Sequence, residues 1–236
     1  MMQAVVFDFY GTLARWADGD GWHYATVLAD LGYDVPPGAM QEYFVRDDGV
    51  EHPEHSVSEA AYDSWVRARL GRLVSACGVP EDSCTGVVDE LQASDRRPMA
   101  AYPEAEGTLG RLREAGLRVA VCSNWGWQLD PYLDEVGLLG LVDTSVTSAR
   151  VGARKPHPAI YAHVSDLLGV SAASTLFVGD SWEPDVRGPR RNGMEAVHVW
   201  RSDERAGQEP PALHHGDHRV ADLSALLDLP GLLVDA

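Results

Sequence analysis

Four short apolar runs punctuate the chain: Val5-Val6-Phe7, Val119-Ala120-Val121-Cys122, Thr175-Leu176-Phe177-Val178 and Ala196-Val197-His198-Val199-Trp200. Each reads as a strand buried on both faces, the pattern of a parallel sheet. Helical spacing fills the intervals. A helix is predicted from Pro103 to Ala115, with proline near its first turn and Gly116 at its end. Another runs from Pro158 to Leu168 and closes at Gly169, and a short last one covers Ala221 to Leu229 before Pro230. Strand alternating with helix implies right-handed crossovers and an α/β fold with a doubly wound parallel sheet. In such sheets ligands bind beyond the carboxyl ends of the strands.

The stretch from 14 to 100 lacks this rhythm. Its helical segments, Trp22 to Leu31 and Ser58 to Cys77, are joined by polar, proline-containing connections. The pattern predicts a mostly helical domain over 14–100, inserted into a core made of 1–13 and 101–236. Trp16, Trp22 and Tyr24 are expected to pack the insertion's own core rather than line a pocket.

Composition narrows the functional classes. A chain of 236 residues suits one large domain or a core with a smaller insertion. Its 45% hydrophobic and 23% charged residues are those of an ordinary soluble globular protein. The net charge of −17, from 19 basic against 36 acidic residues, argues against nucleic acid and anionic membrane surfaces as partners. A small anionic substrate would need local positive charge, from a metal or a few basic side chains. No apolar segment is long enough to span a bilayer, and the N-terminus runs straight into a strand pattern rather than a leader. The three cysteines, Cys77, Cys84 and Cys122, show no metal-ligand spacing and suit a reducing cytoplasm.

Each core strand ends on chemically useful residues. The first stops abruptly at Asp8, followed by Tyr10 and a tight Gly11-Thr12 turn. The second ends at Ser123-Asn124, and the last motif, "LFVGDSWEPD", runs into Gly179-Asp180 with Asp185 five residues on. Lys155, in "ARKPHPAIY", precedes a helix start and is the only lysine of the chain, which suggests a place where a compact ammonium is needed. Aspartates at strand ends, Ser-Asn pairs and lysines before proline are each common as caps, loops or surface residues. Their joint occurrence in this order is not.

"DFYGT", "SN", "K" and "GDSWEPD" resemble the four ordered motifs of the haloacid dehalogenase-like superfamily, and the insertion looks like its helical cap. Most members of that family are metal-dependent phosphatases; the founding branch is metal-free dehalogenases. The resemblance implies Asp8 as a nucleophile that forms an aspartyl-phosphate. Ser123, with the neighbouring Asn124, Thr12 and first-loop amides, would bind the phosphoryl oxygens, and Lys155 would neutralise Asp8 and the phosphate. It also implies Mg²⁺ on Asp8, Asp180 and the Tyr10 main-chain carbonyl, with Asp185 orienting water or Lys155. Crowded carboxylates repel unless a cation compensates, and Mg²⁺ takes hard oxygen ligands. The implied substrate is a small phosphorylated metabolite, and the implied state a monomer or homodimer.

Tyr10 departs from this pattern. In similar phosphatases the position two after the nucleophile is usually a second aspartate that serves as acid and base, whereas tyrosine there is typical of the dehalogenases. The dehalogenase reading wants a cap arginine, for which Arg46 is the candidate. It also leaves Asp180 and Asp185 adding negative charge beside a nucleophile that must attack an anionic haloacid. The phosphatase reading is therefore favoured. It needs either a good leaving group or a group lent by the cap, from His23, His52 or His55. A weakly active binding or regulatory module is the third alternative. Carbon–phosphorus hydrolysis through a cap lysine is excluded, because the insertion has none. Trp125 and Trp127, after the second motif, are expected to narrow the entrance or to pack beneath the cap.

Overall fold

The computed structural model describes residues 1–19, 23–39, 43, 53–205, 207–214 and 216–232. The chain divides into two compact units, one of Met1–Arg15 with Met99–Ala236 and the other Trp16–Pro98. Among the described residues there are eight strands: β1 (Ala4–Phe7), β2 (Ala14–Trp16), β3 (Met99–Ala101), β4 (Arg118–Ser123), β5 (Thr144–Thr147), β6 (Thr175–Gly179), β7 (Glu195–Val199) and β8 (His218–Val220). Six of them form a parallel sheet in the order β5-β4-β1-β6-β7-β8, while β2 and β3 form a separate two-stranded sheet. This is the doubly wound α/β architecture, and β1 lies at its switch point, where the chain crosses first to one side and later to the other.

Burial explains the choice of residues. Ala4, Val5, Val6 and Phe7 are all completely buried, as a central strand with helices on both faces requires. On one face Val6, Ala120 and Phe177 pack with Ile160, Tyr161 and Val164 of the helix Pro158–Leu168. That helix has the bounds read from its proline and glycine, and Gly169 closes it at a φ of +62°. The helix Ala105–Glu114 starts two residues later than its pattern suggested.

Several features escaped the pattern. Strands β5 and β8 sit at the sheet edges, are buried only toward their carboxyl ends and are built from TSVT and HRV, so they carry no apolar run. The last helix is only a 3₁₀ segment, Ser224–Asp228, and the Asp222 carboxylate sets its start by accepting from the Ser224 amide at 2.9 Å and the Ala225 amide at 3.3 Å. The second unit contains a further helix, Glu81–Ala93, besides His23–Asp30 and Glu59–Ala76. Leu28, Leu70, Leu73, Val88 and Leu91 form that unit's own core, and Tyr24 packs into it. Ser58 caps Glu59–Ala76 by accepting from the Ala61 amide at 3.2 Å. Among the described residues no helix is long and apolar enough to cross a membrane.

Candidate active site

Register brings the predicted residues together. Phe7 pairs with Val121 on one side and Val178 on the other, so β1, β4 and β6 end at the same level. The Asp8 amide extends the ladder by donating to the Val178 carbonyl at 2.9 Å. The backbone then turns away, with Gly11 at φ +79° and its amide bonded to the Ala14 carbonyl at 2.8 Å. Asp8 is thus presented at the strand end yet remains only 7% exposed.

Lys155 is the hub. Its Nζ donates to Asp8 Oδ1 and to Asp185 Oδ1, each at 2.7 Å, and Ser123 Oγ donates to the same Asp8 oxygen at 2.9 Å. Asp8 Oδ2 takes part in neither bond. The lysine backbone is clamped by Asn124, whose Oδ1 accepts from the Lys155 amide at 2.7 Å and whose Nδ2 donates to the Lys155 carbonyl at 2.9 Å. Asp185 is held on its other oxygen by the Ser181 amide at 3.0 Å. It comes so close to β6 that a Cβ on Gly179 would lie 2.4 Å from its Cγ, so only glycine fits there.

Asp180 is gripped from behind. Its carbonyl accepts from His198 Nε2 at 3.0 Å and from Arg205 at 3.1 Å, and Arg205 also forms an ion pair with its carboxylate. Arg219 Nε donates to His198 Nδ1 at 3.1 Å, which leaves the proton on Nε2. Burial pushes His198 down to about 4, so the ring is neutral.

The three carboxylates of Asp8, Asp180 and Asp185 place oxygens within 4.8 Å of one another. Burial, reinforced by Asp8, raises Asp180 to about 6. Asp185 is raised to about 7, again chiefly by burial, with Lys155 opposing the shift. Burial works against the Lys155 ammonium too, but Asp185 and Asp8 hold it above its ordinary range. A cavity of about 420 Å³ opens on Asp8, Tyr10, Ser123, Asn124, Lys155, Asp180 and Asp185, with Arg154 also on its wall.

Thr12 does not join them. It is completely buried, its Oγ1 has no hydrogen-bond partner among the described residues, and it is absent from the cavity wall. Asn124 reaches the wall, but its amide is engaged by the Lys155 backbone on both sides. Trp125 packs edge-on against Phe9 and Tyr132, each at 5.3 Å, and the Trp127 carbonyl accepts from Arg150 Nε at 2.7 Å. In the second unit the His23 ring lies tilted against Tyr24 at 4.3 Å, and His55 stacks on Trp65 at 4.4 Å. Arg46, His52 and Trp22 lie outside the described residues. Sequence reasoning passed over Arg205, His198 and Arg154. The one available signal was a histidine inside an otherwise apolar strand, "AVHVW".

Gly11 offers a direct test of this packing. A Cβ there would meet Asp180 Cγ at 2.9 Å and would also sit on a positive-φ backbone. Gly11→Ala is expected to cost about 1–2 kcal/mol of stability and to displace Asp180. Thermal melts and a crystal structure of the variant check both effects; an unchanged melting temperature with Asp180 unmoved would contradict this geometry.

Fold and site together define a doubly wound hydrolase built around a strand-end carboxylate. Residues 2–193 match the haloacid dehalogenase-like hydrolase family, and the chain belongs to it. It is 27% identical to a glyceraldehyde 3-phosphate phosphatase of Methanopyrus kandleri, over 100% of this chain and 97% of that protein. It is 29% identical to an (S)-2-haloacid dehalogenase of Xanthobacter autotrophicus, over 87% of this chain and 78% of that one. A 2-haloacid dehalogenase structure from Pseudomonas syringae superposes with a TM-score of 0.67 at 22% identity, covering 97% of each chain, which is a likeness of fold.

Proposed function

We propose that this hydrolase is a Mg²⁺-dependent phosphatase of a small phosphorylated metabolite, working through an aspartyl-phosphate on Asp8. The observation that carries the reading is the gathering of Asp8, Asp180 and Asp185 around a single buried lysine in one cavity. The hard oxygen donors and their excess negative charge fit Mg²⁺. Asp8, Asp180 and the Tyr10 carbonyl would hold the ion, which supplies charge neutralisation for the transferring phosphoryl group. Phosphatases among the relatives, including a phosphoserine phosphatase of Thermus thermophilus 33% identical over 71% of the chain, support the same class. A cytoplasmic setting and a monomeric or homodimeric state complete the reading.

The residues divide the work. Lys155 and Ser123 fix Asp8 through Oδ1, leaving Oδ2 to attack phosphorus while the ester P–O bond breaks. Ser123 and Lys155 then face the transferred oxygens. Water attacks the aspartyl-phosphate, phosphate departs and the Asp8 carboxylate is regenerated. Asp185 keeps Lys155 in place. Proton transfer to the leaving oxygen is the weak step, because a tyrosine hydroxyl is a far weaker acid than the aspartic acid usual at this position. The substrate class that fits is therefore one with a good leaving group, such as an acyl or aryl phosphate.

A second reading, metal-free 2-haloacid dehalogenase, gains from one observation. The Arg205–Asp180 ion pair supplies a cation besides Lys155 beside the acids, which weakens the Coulomb objection to an anionic substrate. Incubation with p-nitrophenyl phosphate and with 2-chloropropionate, with and without Mg²⁺, decides between them. Mg²⁺-dependent phosphate release is expected. Metal-independent chloride release without phosphatase activity would overturn the proposal.

Tyr10 gives a finer prediction. In the wild type the rate should fall steeply as the leaving-group pKa rises across a series of aryl and alkyl phosphates. Tyr10→Asp should flatten that slope and accelerate alkyl esters by about 10²-fold, the lower range of general acid catalysis. A flat wild-type slope would sink this account of Tyr10.

A further inference from the structure

Arg205 has a position that no metal-binding or catalytic role so far explains. It follows β7 in a short turn, and its guanidinium lies over the Trp200 ring at 4.5 Å while reaching Asp180 at both carbonyl and carboxylate. The turn is anchored on both sides of its path. Arg201 donates to the Thr12 carbonyl at 3.1 Å and pairs with Glu104 at 2.7 Å. Glu204 accepts from Tyr102 Oη at 2.7 Å and pairs with Arg15 at 3.1 Å. These anchors set the reach of Arg205, so the contact with Asp180 is built rather than incidental.

We infer that Arg205 is a resident counter-cation of the metal site, competing with a divalent ion for the Asp180 carboxylate and thereby lowering the metal affinity; this rests on the metal-dependent reading above. Two effects of the arginine oppose each other. Holding one carboxylate in one orientation favours a ligand, but only by the modest amount that ordering a single side chain is worth. A fixed positive charge on the same carboxylate repels a dication in a pocket partly shielded from water, and charge-charge effects are strong there. The pair is only partly exposed, 26% for Arg205 and 17% for Asp180, so solvent does not erase the repulsion. The second effect wins. The arginine keeps Asp180 paired while the site is empty and makes metal binding weaker and readily reversible.

Calorimetric titration of Mg²⁺, and of Mn²⁺ as a tighter probe, into wild type, Arg205→Gln and Arg205→Lys tests this. Arg205→Gln should bind the ion at least about tenfold more tightly, and Arg205→Lys, which keeps the charge but loses the planar fork, should fall between that variant and wild type. Trp200 adds a readout independent of activity. Its emission should change on metal addition in wild type, and the change should vanish in Trp200→Phe. Equal or weaker binding in Arg205→Gln would overturn the inference and leave the metal-dependent reading standing. Equal tightening in both variants would overturn it too, because charge would not be the cause. No binding to any of the three proteins would overturn the metal-dependent reading and the inference with it.

Discussion

Asp8→Asn is expected to reduce phosphate release by at least about 10³-fold while leaving the fold intact. The amide has the size of the carboxylate, and its oxygen still accepts the bonds that Ser123 and Lys155 make to Oδ1 at 2.9 and 2.7 Å. The nitrogen in place of Oδ2 cannot form an acyl phosphate, so the covalent route closes. Lys155 keeps Asp185 as a partner at 2.7 Å, so no buried charge is stranded and the melting temperature should move by only a few degrees. Phosphate release in a single turnover, with a melt on the same sample, is the measurement. A folded variant that keeps more than about a tenth of the activity would remove Asp8 from the role of nucleophile. The distinction matters because Asp180 and Asp185 lie close enough to be mistaken for it.

The residues that were legible beforehand share one property: their place follows from local sequence. Asp8, Ser123 and Asp180 each stand where a doubly buried run gives way to a turn, and a parallel sheet with such strands must bring those ends to one edge. The helix Pro158–Leu168 was legible for the same reason, since proline and glycine mark its ends in the chain itself. What was missed depends on long-range pairing. Arg205 sits in "RSDERAG", an unremarkable polar turn by sequence, and reaches Asp180 only because β7 lies beside β6. His198 looks like one polar residue in an apolar strand until the Arg219 contact fixes its proton. The resemblance of its motif implies a substrate contact for Asn124; in the structure its amide bonds to the backbone of Lys155, a residue 31 positions away. Spacing tells which residues approach a site; hydrogen-bond accounting tells which of them remain available to a ligand.

That accounting also shows why the two chemistries of the family are hard to separate from motifs. Tyr10 counts against a proton-assisted phosphatase, and the paired acids count against a metal-free dehalogenase. Arg205 stands between these readings, since it partly does the work that a divalent ion would do.

Lys155→Met should have the other large effect, on stability and activity together. Removing the ammonium leaves Asp8 and Asp185 facing each other with side chains only 9% and 1% exposed. Breaking a buried charge pair by deleting one partner typically costs about 3–5 kcal/mol, which in a chain of this size corresponds to a fall of roughly 6–20 °C in melting temperature. Activity should be lost as well, because Asp8 Oδ1 loses its lysine donor and the phosphoryl group its buried cation. The double variant Lys155→Met/Asp185→Asn separates the two effects. Neutralising Asp185 removes the stranded charge, so most of the melting temperature should return while activity stays absent. If the double variant melts as low as the single one, the stability cost does not come from unpaired carboxylates. If it regains activity, Lys155 serves only to neutralise Asp185 and has no part in phosphoryl transfer.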